Sequence, residues 1–124
     1  AAERAGVETI LLAAPTAPDE RLPAVCARSR GFVYAVGLLG VTGVRAELAA
    51  SAVEISTRLK AVTDLPVLVG VGVGTPAQAV EASAHCDGVV IGSAVVQRML
   101  DGGGPEGVGA LVAGFRAALD EAFS

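Results

Sequence analysis

Tryptophan is absent from this chain of 124 residues, and tyrosine and histidine occur once each. Aromatic residues make up 3% of the sequence, which excludes a ligand cage built from rings. Charged residues are also scarce, at 18% against roughly 25% for an average soluble domain. What charge there is leans acidic, with a formal net charge of −4 and a pI near 4.8. A basic surface is therefore lacking, which argues against nucleic acid or an anionic membrane as partner. The two cysteines, Cys26 and Cys86, stand far apart without metal-type spacing, and read as free thiols buried in a reducing cytosol. No metal site is expected. Long apolar runs are missing too. The longest, Leu65 to Val73, falls well short of the roughly 20 residues of a membrane span. No charged-then-apolar signal segment opens the chain, which begins Ala1-Ala2-Glu3-Arg4 and leaves open processing, trimming or a longer parent.

What is present is aliphatic. Hydrophobic residues make up 52%, and the mean hydropathy of +0.61 is high for a soluble chain of this size. The length suits one domain, 1–124, and is too short for two. Four apolar runs stand out: Thr9–Ala14, Phe32–Val36, Val67–Val71 and Gly88–Ile91. None alternates with polar residues, the mark of strands covered on both faces in a parallel α/β sheet.

Helical patterns separate the runs. Leu48, Ala52, Ile55, Leu59 and Val62 recur at helical steps and form one face of a helix over Ala46–Val62. Glu47, Glu54, Arg58 and Lys60 fall on its solvated side. Val108, Leu111, Val112, Phe115, Leu119 and Phe123 mark a last helix, announced by Gly102–Gly104 and Pro105. Thr75 is placed as the N-cap of a helix over Pro76–Ala84. A further helix from Asp19, read as its N-cap, to about Arg28 buries Leu22, Val25 and Cys26 and tolerates Pro23 in its first turn.

The order is β-α repeated four times, which right-handed crossovers turn into a parallel sheet. Two architectures fit: a small open sheet with flavodoxin-like winding, or half of a (β/α)8 barrel, typically about 250 residues long.

In either case ligands meet the C-terminal strand ends. Those ends are rich in glycine: Gly37 with Gly40-Val41-Thr42-Gly43, then Gly70-Val71-Gly72-Val73-Gly74, then Gly92-Ser93 opening a helix. Glycine lets backbone approach a ligand, and a helix start offers unpaired N–H groups to an anion. A phosphate site follows, though not of the Walker type, since no Gly-Lys-Ser/Thr is present. The competing reading is that these glycines only make tight turns. Glu8, Asp64, His85 and Asp87 precede strands and belong to the opposite end of the sheet, as turn or helix-end charges. No pair of carboxylates is placed for acid–base work. Tyr34 is the suggestive side chain within a strand, on one face with Phe32 and Val36, where core packing and substrate contact are both open.

The strings Arg30-Gly-Phe-Val-Tyr-Ala-Val, Gly40-Val-Thr-Gly43, Gly70-Val-Gly-Val-Gly74-Thr-Pro-Ala-Gln and Asp87-Gly-Val-Val-Ile-Gly-Ser93 together resemble the alpha chain of tryptophan synthase. The resemblance runs over essentially the whole sequence and covers the C-terminal half of the family's barrel. It implies an α/β fold, units five to eight of a TIM (β/α)8 barrel. It also implies a lyase of tryptophan biosynthesis that cleaves indole-3-glycerol phosphate, by a retro-aldol reaction, to indole and glyceraldehyde 3-phosphate. Carried over by position, Gly43, Gly72, Gly92 and Ser93 hold the phosphate. Tyr34 contacts substrate near the reacting centre, and Thr42 helps place a carboxylate from the other half. Val71 stands where an aromatic residue is common beside the indole ring, and Gly37-Leu38-Leu39 replaces the family's Ser-Arg.

The family's acid–base Glu and Asp lie on early strands and have no counterpart here, so the chain alone is expected to bind phosphate without useful turnover. This chain is expected in the cytoplasm, and the implied partner is the beta chain, which carries pyridoxal phosphate; no cofactor is expected in this chain. The alternative is a non-catalytic half-barrel that self-associates through its open face. Another phosphate-binding barrel enzyme, similar to thiamine-phosphate synthase, is disfavoured by the Gly-Val-Thr-Gly loop beside Tyr34.

Overall fold

The computed structural model describes residues 1–37, 45–70 and 72–124. Four strands, β1 (Leu12–Ala13), β2 (Val33–Val36), β3 (Val67–Gly70) and β4 (Gly88–Val89), form one parallel sheet in the order β1-β2-β3-β4. Helices α1 (Leu22–Arg28), α2 (Arg45–Lys60), α3 (Pro76–Ser83), α4 (Ser93–Leu100) and α5 (Gly104–Phe123) complete the chain, with one-turn 3-10 segments at Glu3–Ala5 and Asp19–Arg21. All four strands fall inside the apolar runs. The outer two are shorter than their runs because each pairs on one side only. Strand-like bonds nevertheless continue past β1, where Arg30 N–H donates to the Thr9 carbonyl at 2.9 Å.

Register separates the two faces. One row crosses the sheet through Leu12, Tyr34, Leu68 and Gly88; the next runs through Ala13, Ala35, Val69 and Val89. The second row faces the helices, and Ala13, Ala35 and Val69 are buried there with Val33 and Val67. The first row is not covered: Leu12 is 65% exposed, and Tyr34 and Leu68 are half-buried. The apolar runs pointed to cover on both faces; helices cover one. The exposed surface, 7612 Å², exceeds the roughly 6,100 Å² expected for a folded monomer of 12.3 kDa.

On α2, Ala52, Ile55 and Leu59 are buried at helical spacing against β2 and β3. Val62 lies beyond the helix end and is exposed, and the side chains of Glu47 and Leu48 lie outside the described residues. Arg58 is not on the solvated side as expected. Its guanidinium donates to Asp19 Oδ1 at 2.7 Å, to the Pro15 carbonyl at 2.9 Å and to the Ala17 carbonyl, tying the loop after β1 to α2. Asp19 is accordingly a partner of Arg58 and not a cap; Pro18 holds the cap position of its 3-10 turn.

In the C-terminal third, α4 opens at Gly92-Ser93 as expected and precedes the last helix, and α5 buries a narrower stripe than its pattern suggested: Phe115 fully, Leu111 and Leu119 in part. Val112 and Phe123 remain exposed, because α5 packs mainly on α3 and α4. At the opposite end of the sheet from the strand tips, Asp87 staples three elements. It accepts from Lys60 Nζ and from the Val67 N–H, both at 2.8 Å, which holds its carboxyl below the usual range. Asp87 is thus a structural charge, as its position before a strand suggested. Both cysteines are free thiols. Cys26 is buried and Cys86 half-buried, and burial pushes both thiols up.

Candidate functional site

The C-terminal strand ends bring Tyr34, Gly70, Gly72, Gly92 and Ser93 to one edge of the sheet. Tyr34 is opposite Leu68, yet its ring leans along the strand and lies over Gly70 on β3. A Cβ at Gly70 would sit 2.2 Å from the Tyr34 hydroxyl and 2.8 Å from Cζ. Gly70 is therefore the floor on which the phenol rests. Among the described residues the hydroxyl has no hydrogen-bond partner, although a buried phenol usually finds one. The phenol is thus half-buried on the uncovered face.

Beyond β3 the chain turns at Gly72, whose φ of 65° is strained for any residue with a Cβ. Gly72 and Gly92 each follow the C-terminal end of a strand, β3 and β4, which are neighbours in the sheet. The two helix starts that follow these glycines differ. At α3, Thr75 Oγ1 accepts from the Gln78 N–H at 3.3 Å, and Gln78 Oε1 accepts from the N–H groups of Gly74 at 2.7 Å and Thr75 at 3.2 Å. The N–H groups of Gly74, Thr75 and Gln78 around this start are thus taken by the chain itself. At α4, Gly92 holds the cap position and no side chain caps the helix. Gly92 and Ser93 are exposed, and the Ser93 hydroxyl is unpaired among the described residues. Such a start presents unpaired N–H groups and the positive end of the helix dipole to solvent.

Of the expected site residues, Tyr34, Gly72, Gly92 and Ser93 are gathered at this end. Thr42, Gly43 and Val71 lie outside the described residues. Gln78 was missed, though the Thr75-x-x-Gln78 spacing of a capping box was there to find it. Among the described residues, no group of His, Cys, Asp or Glu is arranged to hold a metal, and no helix is long and apolar enough to cross a membrane.

A parallel βα sheet covered by helices on one face and bare on the other is the arrangement of part of a (β/α) barrel. Within that class, residues 1–108 match the family model described as "Tryptophan synthase alpha chain". The chain belongs to the tryptophan synthase alpha chain family. It is 48% identical over 104 residues to the tryptophan synthase alpha chain of Thermobifida fusca, covering 82% of this chain and 38% of that one. The Picosynechococcus alpha chain is 45% identical over 125 residues, with all of this chain and 47% of that one covered. A solved structure of tryptophan synthase from Mycobacterium tuberculosis superposes with a TM-score of 0.80 at 41% identity, over 95% of this chain and 44% of that one. The chain thus spans less than half the length of the relatives it matches, and its four βα units correspond to part of their TIM barrel.

Proposed function

We propose that residues 1–124 act as one α/β unit that supplies the phosphate subsite and part of the indole pocket of a tryptophan synthase alpha-type lyase. The observation that carries this reading is the contrast between the capped start of α3 and the uncapped start of α4. The substrate is indole-3-glycerol phosphate, and Gly72, Gly92 and Ser93, with Gly43, receive its phosphate. Tyr34 lies against the glycerol–indole bond, Val71 packs on the indole ring, and Thr42 orients a carboxylate supplied by the rest of the barrel. Retro-aldol cleavage needs a proton delivered to the indole ring and another removed from the glycerol hydroxyl. Losing one such acid–base group costs on the order of 10²–10⁴-fold in rate. The chain by itself therefore binds but does not turn over. It needs no cofactor of its own; pyridoxal phosphate belongs to the beta chain, its cytoplasmic partner.

Titrating the purified chain with glycerol 3-phosphate while assaying indole release tests this. Saturable binding without indole, and indole release once the remaining part of a family barrel is co-expressed, are expected. Indole release by the chain alone at the rate of a whole barrel would refute the division of labour, and absence of binding would refute the subsite.

The bare sheet face favours a second reading, a non-catalytic half-barrel that pairs with a copy of itself. The surplus of exposed surface is of the order of the roughly 800 Å² per partner that a standard interface buries, or more. A concentration-independent monomer mass in sedimentation would dismiss it.

A further inference from the structure

The phosphate reading above leaves one polar side chain at the strand ends unassigned. Gln78 lies on α3, outside the glycine turn, and reaches back so that its Oε1 takes the N–H groups of both Gly74 and Thr75. Gly72, two residues before, holds its left-handed conformation with nothing within 4 Å of where a Cβ would be. Val73 anchors the turn from the core side, against Ala79 and Phe115, and Gln78 is the side chain that bonds the turn's backbone among the described residues.

We propose that Gln78 is a positioning residue for the anion site: its carboxamide holds the Gly72–Thr75 turn and withdraws the N–H groups of Gly74 and Thr75 from competition, so that a phosphate is received by Gly72 and the start of α4. The inference rests on the phosphate reading. A purely structural cap would contribute stability alone. A positioning residue also sets affinity, because a turn that must be ordered on binding weakens the complex.

The two roles separate by experiment on the full chain, with glycerol 3-phosphate as probe. Gln78→Met keeps length and bulk and removes the acceptor. Thr75→Val removes the other half of the cap and leaves the Gln78 acceptor in place. Both are expected to lower the melting temperature. Only Gln78→Met is expected to weaken binding, by roughly five- to tenfold, measured well below either melting point, and to speed amide exchange at Gly74 and Thr75. Unchanged affinity in Gln78→Met overturns the proposal. So does tighter binding, which would mean that Gln78 merely competes with the anion, and so does equal weakening by Thr75→Val. Failure of the unsubstituted chain to bind would instead overturn the phosphate reading, and this inference with it.

Discussion

Substituting Gly70 by alanine tests the packing of the candidate site directly. The new Cβ would lie 2.2 Å from the Tyr34 hydroxyl, 2.8 Å from Cζ and 3.2 Å from Cε1. Ordinary contact begins near 3.4 Å, so the phenol must retreat by about 1.2 Å or more. Overpacking of this kind costs about 1–3 kcal/mol. About 1.5–2 kcal/mol applies here and not the upper end, because Tyr34 is half-buried on an open face and its ring has room to swing. Replacing glycine by alanine in a strand returns some 0.5–1 kcal/mol through lost backbone freedom in the unfolded chain. The expected net is a loss of about 1 kcal/mol in the native background and a small gain in a Tyr34→Ala background. The coupling is then about 1.5–2 kcal/mol. Urea unfolding followed by circular dichroism measures it. Tyrosine emission follows the ring itself, since Tyr34 is the sole tyrosine and tryptophan is absent. Equal cost in both backgrounds, a coupling under ~0.5 kcal/mol, would show that the ring does not rest on Gly70.

Two further outcomes concern the scaffold. Asp87 is held below its ordinary value of about 3.8, first by Lys60 and then by the Val67 N–H. Its contribution is therefore fully present above that value and is lost as pH falls through the folded value. Asp87→Ala should cost about 1–2 kcal/mol, nearly all from the Val67 bond, since the ion pair is about 40% exposed and screened. The acid limb of a stability–pH curve should flatten in the variant, and an unchanged limb would contradict the assignment. Arg58→Ala should cost about 1–3 kcal/mol by freeing the Pro15 and Ala17 carbonyls. Arg58→Lys should recover little of it, because an ammonium cannot reproduce the guanidinium fork. Full recovery in a urea titration would count against the clamp.

How much of this was legible in the sequence depends on how local the cause is. The cap at Thr75, Pro76 at the first helical position and the burial of Ile55 and Leu59 all follow from spacings of three or four residues, and the structure has them. The parallel order of the strands follows from the βα rhythm. The chemistry of Arg58 did not, because its partners lie about 40 residues away and helical spacing says only which side a residue occupies. The bed that Gly70 makes for Tyr34 depends on strand register, which no single strand encodes. The bare face was legible only through the half-barrel reading, because an apolar run by itself looks the same whether its second cover belongs to the chain or to something else.

The core is in two parts. The larger joins β1, β2 and β3 to α1 and α2; the smaller is Val73, Ala79 and Phe115, with partly buried neighbours, under α3 and α5. A cluster with three buried side chains opens at less cost than one with ten, so the C-terminal third forms the less protected cooperative unit. The uncapped helix start belongs to that unit. An anion bound there would be linked to the opening equilibrium and would raise protection by mass action, most of all in the part of the chain that is otherwise quickest to let go.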